Sequence, residues 1–179
     1  MTLMKSIILK IFLLAALLYK IASAQTLYLG FHNEFSFIYT NNKYGKDVVF
    51  NPGSLYGILG IKIINEVNFE TRLGYMFSMR NDYGGPEVGF YLRSPIFYKR
   101  LYFLSGINFH VNVPNNPDLI SKTVLLGGIG VGAYVYKLFL LEAVYFYPIQ
   151  KEYISYGPFV DNPKLSGILK LGIGFNFVH

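Results

Sequence analysis

From Gln25 to the end of the chain, apolar residues recur at every second position, run after run. That period dictates extended strands, because successive side chains on a pleated strand point to opposite faces. The run VNFETRLGYMFSMR (67–80) shows it most clearly. Val67, Phe69, Leu73, Tyr75, Phe77 and Met79 share one parity; Asn68, Glu70, Arg72, Gly74, Ser78 and Arg80 share the other. The last run sets Leu169, Leu171, Ile173, Phe175 and Phe177 against Lys170, Gly172, Gly174 and Asn176. Runs of this kind cover 26–40, 53–64, 67–80, 87–93, 101–113, 123–134, 138–149 and 164–178, and none carries a helical period. An all-β chain of eight strands is the expectation. Asn33 falls on the apolar parity of the first run, and a bulge is expected there.

The connectors alternate in length. Segments 41–52, 81–86, 114–122 and 150–163 read as longer polar loops, whereas 65–66, 94–100 and 135–137 read as tighter turns. If both termini lie at one end of a closed sheet, every longer loop emerges at the other. No cysteine is present, which excludes a disulfide framework and thiolate metal sites.

Alternation alone does not say which face meets water, since soluble ligand-carrying barrels alternate too. Composition decides. Hydrophobic residues make up 53% of the chain and charged residues only 15%, against about a quarter charged in an ordinary globular protein. The polar parity is mainly Gly, Asn, Tyr and Ser with isolated charges, a poor coat for water but a reasonable filling for a narrow lumen. The other parity is Leu, Ile, Val and Phe in nearly every strand and suits hydrocarbon. Aromatics gather at two levels: Tyr28, Phe69, Phe103, Phe139, Phe175 and Phe177 near one set of strand ends, and Tyr39, Phe77, Phe109, Tyr145 and Tyr147 near the other. Two such levels are the girdles expected at lipid–water boundaries.

At the start, Lys5 and Lys10 precede the short apolar stretch IFLLAALLY, and small residues follow through Ala24. This is the layout of a secretory signal peptide over residues 1–24, leaving a single domain over 25–179. The stretch is too short to span a bilayer as a helix. Cleavage removes Lys5, Lys10 and Lys20 from a formal charge of +6, so the basic balance does not point to nucleic acid.

Together these features resemble the small eight-stranded bacterial outer-membrane barrels of the OmpA-transmembrane, OmpX and OmpW type. The resemblance is architectural and implies an antiparallel up-and-down transmembrane barrel with both termini periplasmic. The closing strand resembles the C-terminal assembly signal of such proteins, carried here by Leu169, Leu171, Ile173, Phe175 and Phe177. It departs from that pattern because His179 holds the terminal slot. The implied partners are outer-membrane lipid, the outer-membrane assembly machinery and an unidentified envelope protein.

On the lumen parity, Glu34, Glu70 and Glu142 are set to pair with Lys62, Arg72 and Lys170, because an unpaired buried charge is far costlier than a paired one. A structural plug is expected, since eight strands enclose a space only just filled by side chains. No catalytic, cofactor or metal site is expected. The glycines of GGIGVG (127–132) lie inside a strand and lack the turn and helix of a nucleotide loop. Some small outer-membrane barrels are lipid A acylases or deacylases that use Ser, His and an acid. Ser36, His32 and Glu34 share a face, but it is the lumen face, and His110 has no serine two residues away. In the longer loops, Lys43, Lys46, Arg80, Lys122, Lys151 and Lys164 balance Asp47, Asp82, Glu87, Asp118, Glu152 and Asp161, so no basic patch is expected. A non-catalytic barrel serving envelope integrity or surface contact leads. A small-solute or hydrophobic-ligand channel, a lipid A-modifying enzyme and an accessory subunit of an envelope assembly are the alternatives.

Overall fold

The computed structural model describes residues 27–42, 45–64, 66–77, 83–97, 100–114, 120–136, 138–155 and 162–178. The segment assigned to the signal peptide and the terminal His179 lie outside them. Eight strands close into an antiparallel barrel: β1 (Leu27–Asn42), β2 (Gly45–Ile64), β3 (Val67–Met76), β4 (Gly85–Phe97), β5 (Leu101–Val111), β7 (Thr123–Tyr134), β8 (Phe139–Pro148) and β10 (Lys164–Val178). Two short strands, β6 (Ile120–Ser121) and β9 (Ile154–Ser155), pair with each other beside the barrel's longer connectors. Sequence neighbours pair throughout, and β10 returns to β1 from Tyr28↔Val178 to Asn41↔Lys164. Closure leaves no long free edge to template aggregation.

The hydrophobic parity faces outward. Leu29, Leu59, Leu73, Ile129, Val131 and Leu141 are all exposed on the wall, while His32, Glu70, Arg72 and Glu142 on the opposite parity are buried. A water-soluble barrel has the reverse arrangement, so this barrel is built to stand in lipid. Phe69, Phe103, Phe139, Phe175 and Phe177 point outward near the turn end, and Phe77, Phe109, Tyr145 and Tyr147 do so near the loop end. Tyr28, expected in the girdle, instead points inward, because its parity is that of Gly30 and His32.

Three further expectations change. Segment 41–52 is not a loop. β1 and β2 continue as one long hairpin through Tyr39↔Val48 and Asn41↔Lys46 to Asn42↔Gly45, where Gly45 takes a φ of 132° open to glycine. Asn33 is not bulged; it pairs in regular register with Leu55 and Ile173. The irregularity falls one turn of the pleat later, where Glu34 and Ser36 face Ser54 and Asn51 across Pro52 and Gly53. Proline cannot donate to a ladder, so a bulge is where a strand tolerates it. Residues 94–97 also belong to a strand, shortening the turn before β5.

Inside, the end near the longer connectors is filled by apolar side chains, with Ile38, Met76, Tyr83, Tyr153, Ile154 and Leu165 in one buried cluster. Tyr83 and Tyr153 come from the connectors themselves and meet edge to face at 5.2 Å. The polar interior lies beneath this stopper.

The facing assignment has a direct test at Leu73, which is 57% exposed on the outer wall. Replacing it with arginine should cost roughly 2–4 kcal/mol near the bilayer midplane. Leu73→Ala, which brings no charge into the hydrocarbon, should cost less. Reversible unfolding in lipid vesicles measures both, and a neutral Leu73→Arg would invert the assignment.

Candidate functional site

β3 and β4 run antiparallel with Glu70↔Tyr91 and Arg72↔Gly89 in register, so Glu70, Arg72, Tyr91 and Arg93 share one interior face. β8 brings Glu142 and β1 brings His32 and Glu34 to the same space. Arg72 is the hub. Its Nη2 donates to Glu70 Oε2 at 3.0 Å and to Glu142 Oε1 at 2.9 Å. Its Nη1 lies 2.7 Å from Glu142 Oε2 and 3.4 Å from Glu34 Oε1. Arg93 Nη2 lies 2.7 Å from Glu70 Oε1 and 2.9 Å from Glu142 Oε1, and its Nη1 donates to the Tyr134 hydroxyl at 2.7 Å. Tyr102 donates to Glu142 at 2.7 Å, and Tyr28 donates to Glu70. The Arg93 guanidinium also lies 4.3 Å from the centre of the Tyr102 ring, a cation–π contact.

A second group lies nearer the apolar stopper. Lys170 Nζ donates to Glu87 Oε2 at 2.6 Å and to the Tyr56 hydroxyl at 2.7 Å, while Tyr56 itself donates to Glu87. His110 Nδ1 is 2.9 Å from Glu87 Oε1, with the Tyr83 ring stacked on the imidazole at 4.3 Å. Glu34 joins the two groups, since its Oε2 is 3.4 Å from Lys170 and its Oε1 faces Arg72.

Of the sequence-selected set, the structure brings Glu34, Glu70, Arg72, Glu142 and Lys170 together and leaves Lys62 out. Lys62 sits beside the strand irregularity that precedes Val67, and it pairs with Glu66 at 2.9 Å with 36% of its side chain exposed. Near the end of its strand, a lysine stem reaches water more cheaply than it enters the lumen. Arg93 and Glu87 are the members that sequence reasoning missed. Their signal was present: in EVGFYLR, Glu87, Gly89, Tyr91 and Arg93 share the parity opposite Val88, Phe90 and Leu92. The residues proposed for the assembly signal lie on the outer face of β10, with Leu171, Ile173, Phe175 and Phe177 exposed and Leu169 half-buried.

Catalytic and metal readings find little geometry. His32 bonds Glu34 at 2.9 Å, while the Ser36 hydroxyl is fully buried and takes no partner. A hydrolytic dyad of Ser36 and His32 is therefore not assembled in this structure. His32, Glu34 and Glu142 do bring donor atoms within 4.8 Å of one another. Arg72 already stands among them, with Nη1 3.2 Å from His32 Nδ1 and 2.7 Å from Glu142 Oε2, so a guanidinium fills the place a cation would take.

At the loop surface, charges pair locally. Lys122 donates to Glu152 at 2.5 Å, and Glu152 forms a ladder bridge with Lys164. Lys151 lies beside them, 5.9 Å from the Tyr147 ring. Among the described residues, Lys122 and Lys164 thus both act on the Glu152 carboxylate. The hydrogen bond and charge of Lys122 hold the Glu152 carboxyl below its ordinary range.

Removing one buried partner leaves others unpaired, so Arg72→Ala and Arg93→Ala should each destabilise by on the order of 3–5 kcal/mol. Lys62→Ala, which breaks only a half-exposed pair, should cost about 1 kcal/mol or less. Unfolding titrations in detergent compare the three, and a Lys62→Ala loss as large as that of Arg72→Ala would return Lys62 to the network.

No protein-family model matches the chain, and no curated protein sequence does. Solved structures do. Neisserial surface protein A is similar over 83% of this chain and 97% of its own, at a TM-score of 0.50 and 17% identity. The N-terminal β-barrel domain of Pseudomonas aeruginosa OprF matches at a TM-score of 0.46 and 16% identity, over 82% of this chain and 97% of that one. Ail, the attachment invasion locus protein of Yersinia pestis, matches at 0.46 and 16%, over 84% and 99%. At these identities the likeness is one of fold, and the chain shares the small eight-stranded barrel of Neisserial surface protein A.

Proposed function

We propose that this protein is an integral outer-membrane barrel with a side-chain-filled lumen, serving envelope integrity or surface contact without catalysing a reaction. The observation that carries the reading is the inversion of the barrel: a continuous apolar exterior around an interior of paired carboxylates and guanidinium groups. That division suits lipid outside and excludes a soluble carrier. The interior supports a plug over an open channel. Its charges are engaged with one another, and apolar side chains from two connectors stopper one end. Residues 1–24 then act as a cleaved export signal, the termini are periplasmic, and the outward row Leu169, Leu171, Ile173, Phe175 and Phe177 is what the outer-membrane assembly machinery reads.

Membrane fractionation and heat-modifiable gel mobility test the placement. The chain should appear with the outer membrane and shift on boiling; a soluble periplasmic protein without a shift would refute it. Planar-bilayer recording tests the plug, with no steady conductance expected. Sustained single-channel currents would instead support the small-solute channel. Unchanged lipid A mass spectra after deletion are expected on the non-catalytic reading, and altered acylation would restore the enzyme.

A further inference from the structure

Among the described residues, the lipid-facing wall carries one exposed carboxamide at mid-height. Asn33 sits at the centre of the outward row of β1, with Leu27, Leu29 and Phe31 toward the turn end and Phe35, Phe37 and Tyr39 toward the loop end. Its ladder partners, Leu55 on β2 and Ile173 on β10, are apolar and outward too. Glu34 next to it points the other way, into the lumen. Among the described residues no hydrogen bond reaches the Asn33 side chain. Thr71 and Ser105, the other polar outward residues of the described mid-wall, are half-buried, whereas Asn33 is exposed. Hydrocarbon offers no partner to an amide, and a lipid headgroup does not reach the middle of the wall, so a bare carboxamide there is costly.

We infer that the β1–β2 wall around Asn33 is an interface with a second copy of this chain, the two Asn33 amides bonding each other across a two-fold axis along the membrane normal. The inference rests on the membrane reading of the outer wall. A carboxamide carries both donors and an acceptor, so two identical amides on such an axis satisfy each other without any third group. Copies inserted in the same direction bring a residue opposite itself only on that axis, and a residue central to its wall can occupy it. The shape beside Asn33 agrees. Gly57 faces outward in register with Phe31, and a Cβ built on it would meet only the Leu73 carbonyl oxygen, at an ordinary contact distance of 3.9 Å. The notch lies between the exposed Leu55 and Leu59, next to a Phe31 ring that is 59% exposed. A partner's ring has room there, and small residues of this kind let packed surfaces approach closely within a bilayer. No charge lies on the outward face from Leu27 to Phe37 or from Leu55 to Ile61 to oppose the contact.

The test is resonance energy transfer between labelled copies of the full mature chain in phospholipid vesicles, over a range of protein-to-lipid ratios. The wild type should associate, and Asn33→Leu should lower the dimerisation constant roughly three- to thirty-fold while keeping the heat-modifiable mobility of the folded barrel. Because the chain lacks cysteine, single-cysteine variants map the contact. Asn33→Cys should oxidise to a covalent dimer, and Ile107→Cys on β5, across the barrel from β1, should not. An inserted monomeric wild type, an Asn33→Leu variant that associates equally, or equal cross-linking from Ile107→Cys would each overturn the interface alone. A chain that never enters the bilayer would overturn the membrane reading and this inference with it.

Discussion

Everything in this barrel depends on how its buried charges are met. Among the described residues, four carboxylates (Glu34, Glu70, Glu87 and Glu142) and three basic side chains (Arg72, Arg93 and Lys170) are buried behind an apolar wall. Stripping one such ion of water costs several kcal/mol even after relaxation, so each must recover its loss from neighbours. The recovery is collective. Arg72 alone faces three carboxylates, and Glu142 is approached by Arg72, Arg93, Tyr102 and His32. Neutral donors complete the shell, with Tyr28 on Glu70 and Tyr56 on Glu87. The imidazoles of His32 and His110 each face a carboxylate at 2.9 Å.

This network also pins the register. Its charges come from β1, β3, β4, β8 and β10, so a slip of one residue in any of these strands would send a charge into the lipid, and a slip in β2 or β5 would turn Tyr56, or Tyr102 and His110, out of the lumen. β7 adds the Tyr134 hydroxyl but no charge to the cluster, and its glycines supply space. A Cβ at Gly128 would strike the Phe146 ring, and one at Gly132 would strike Tyr102, the same tyrosine that donates to Glu142. The glycines of GGIGVG are therefore the counterpart of the charged strands. They are missing side chains that let large ones cross the lumen.

Parity carried most of what the sequence disclosed. It separated wall from lumen in each of the eight strands, because an exterior solvent of one kind and an interior of another leave a period of two in every run. It was less informative where strands end or bend. Lys62 has the parity of Tyr56 and Ile58, yet the irregularity before Val67 and the nearness of Glu66 take it out of the interior. The residues of 41–52 have polar turn chemistry, and only pairing with β1 across the sheet extends them into a strand. Glu87 was counted with the loops because the strand containing it begins earlier than its alternation suggests, at Gly85. Which acid meets which base depends on the shear of the closed sheet, a long-range property that no local pattern holds.

Wall and lumen obey the same rule about polar groups and reach opposite results. In the lumen a polar side chain can be placed cheaply because partners are dense. Buried atoms without a hydrogen-bond partner, such as both ends of the Asn108 amide, lie in a polar interior that can hold water. On the wall no such density exists, and the sequence keeps the middle of the hydrocarbon zone nearly free of exposed polar side chains. Asn33 breaks the parity in the strand whose other face carries His32 and Glu34 at the network. Lumen partners cannot satisfy it, since the pleat that sends Glu34 inward sends Asn33 outward. The constraint that organises the interior therefore also isolates this amide, and whatever satisfies it must lie outside the barrel.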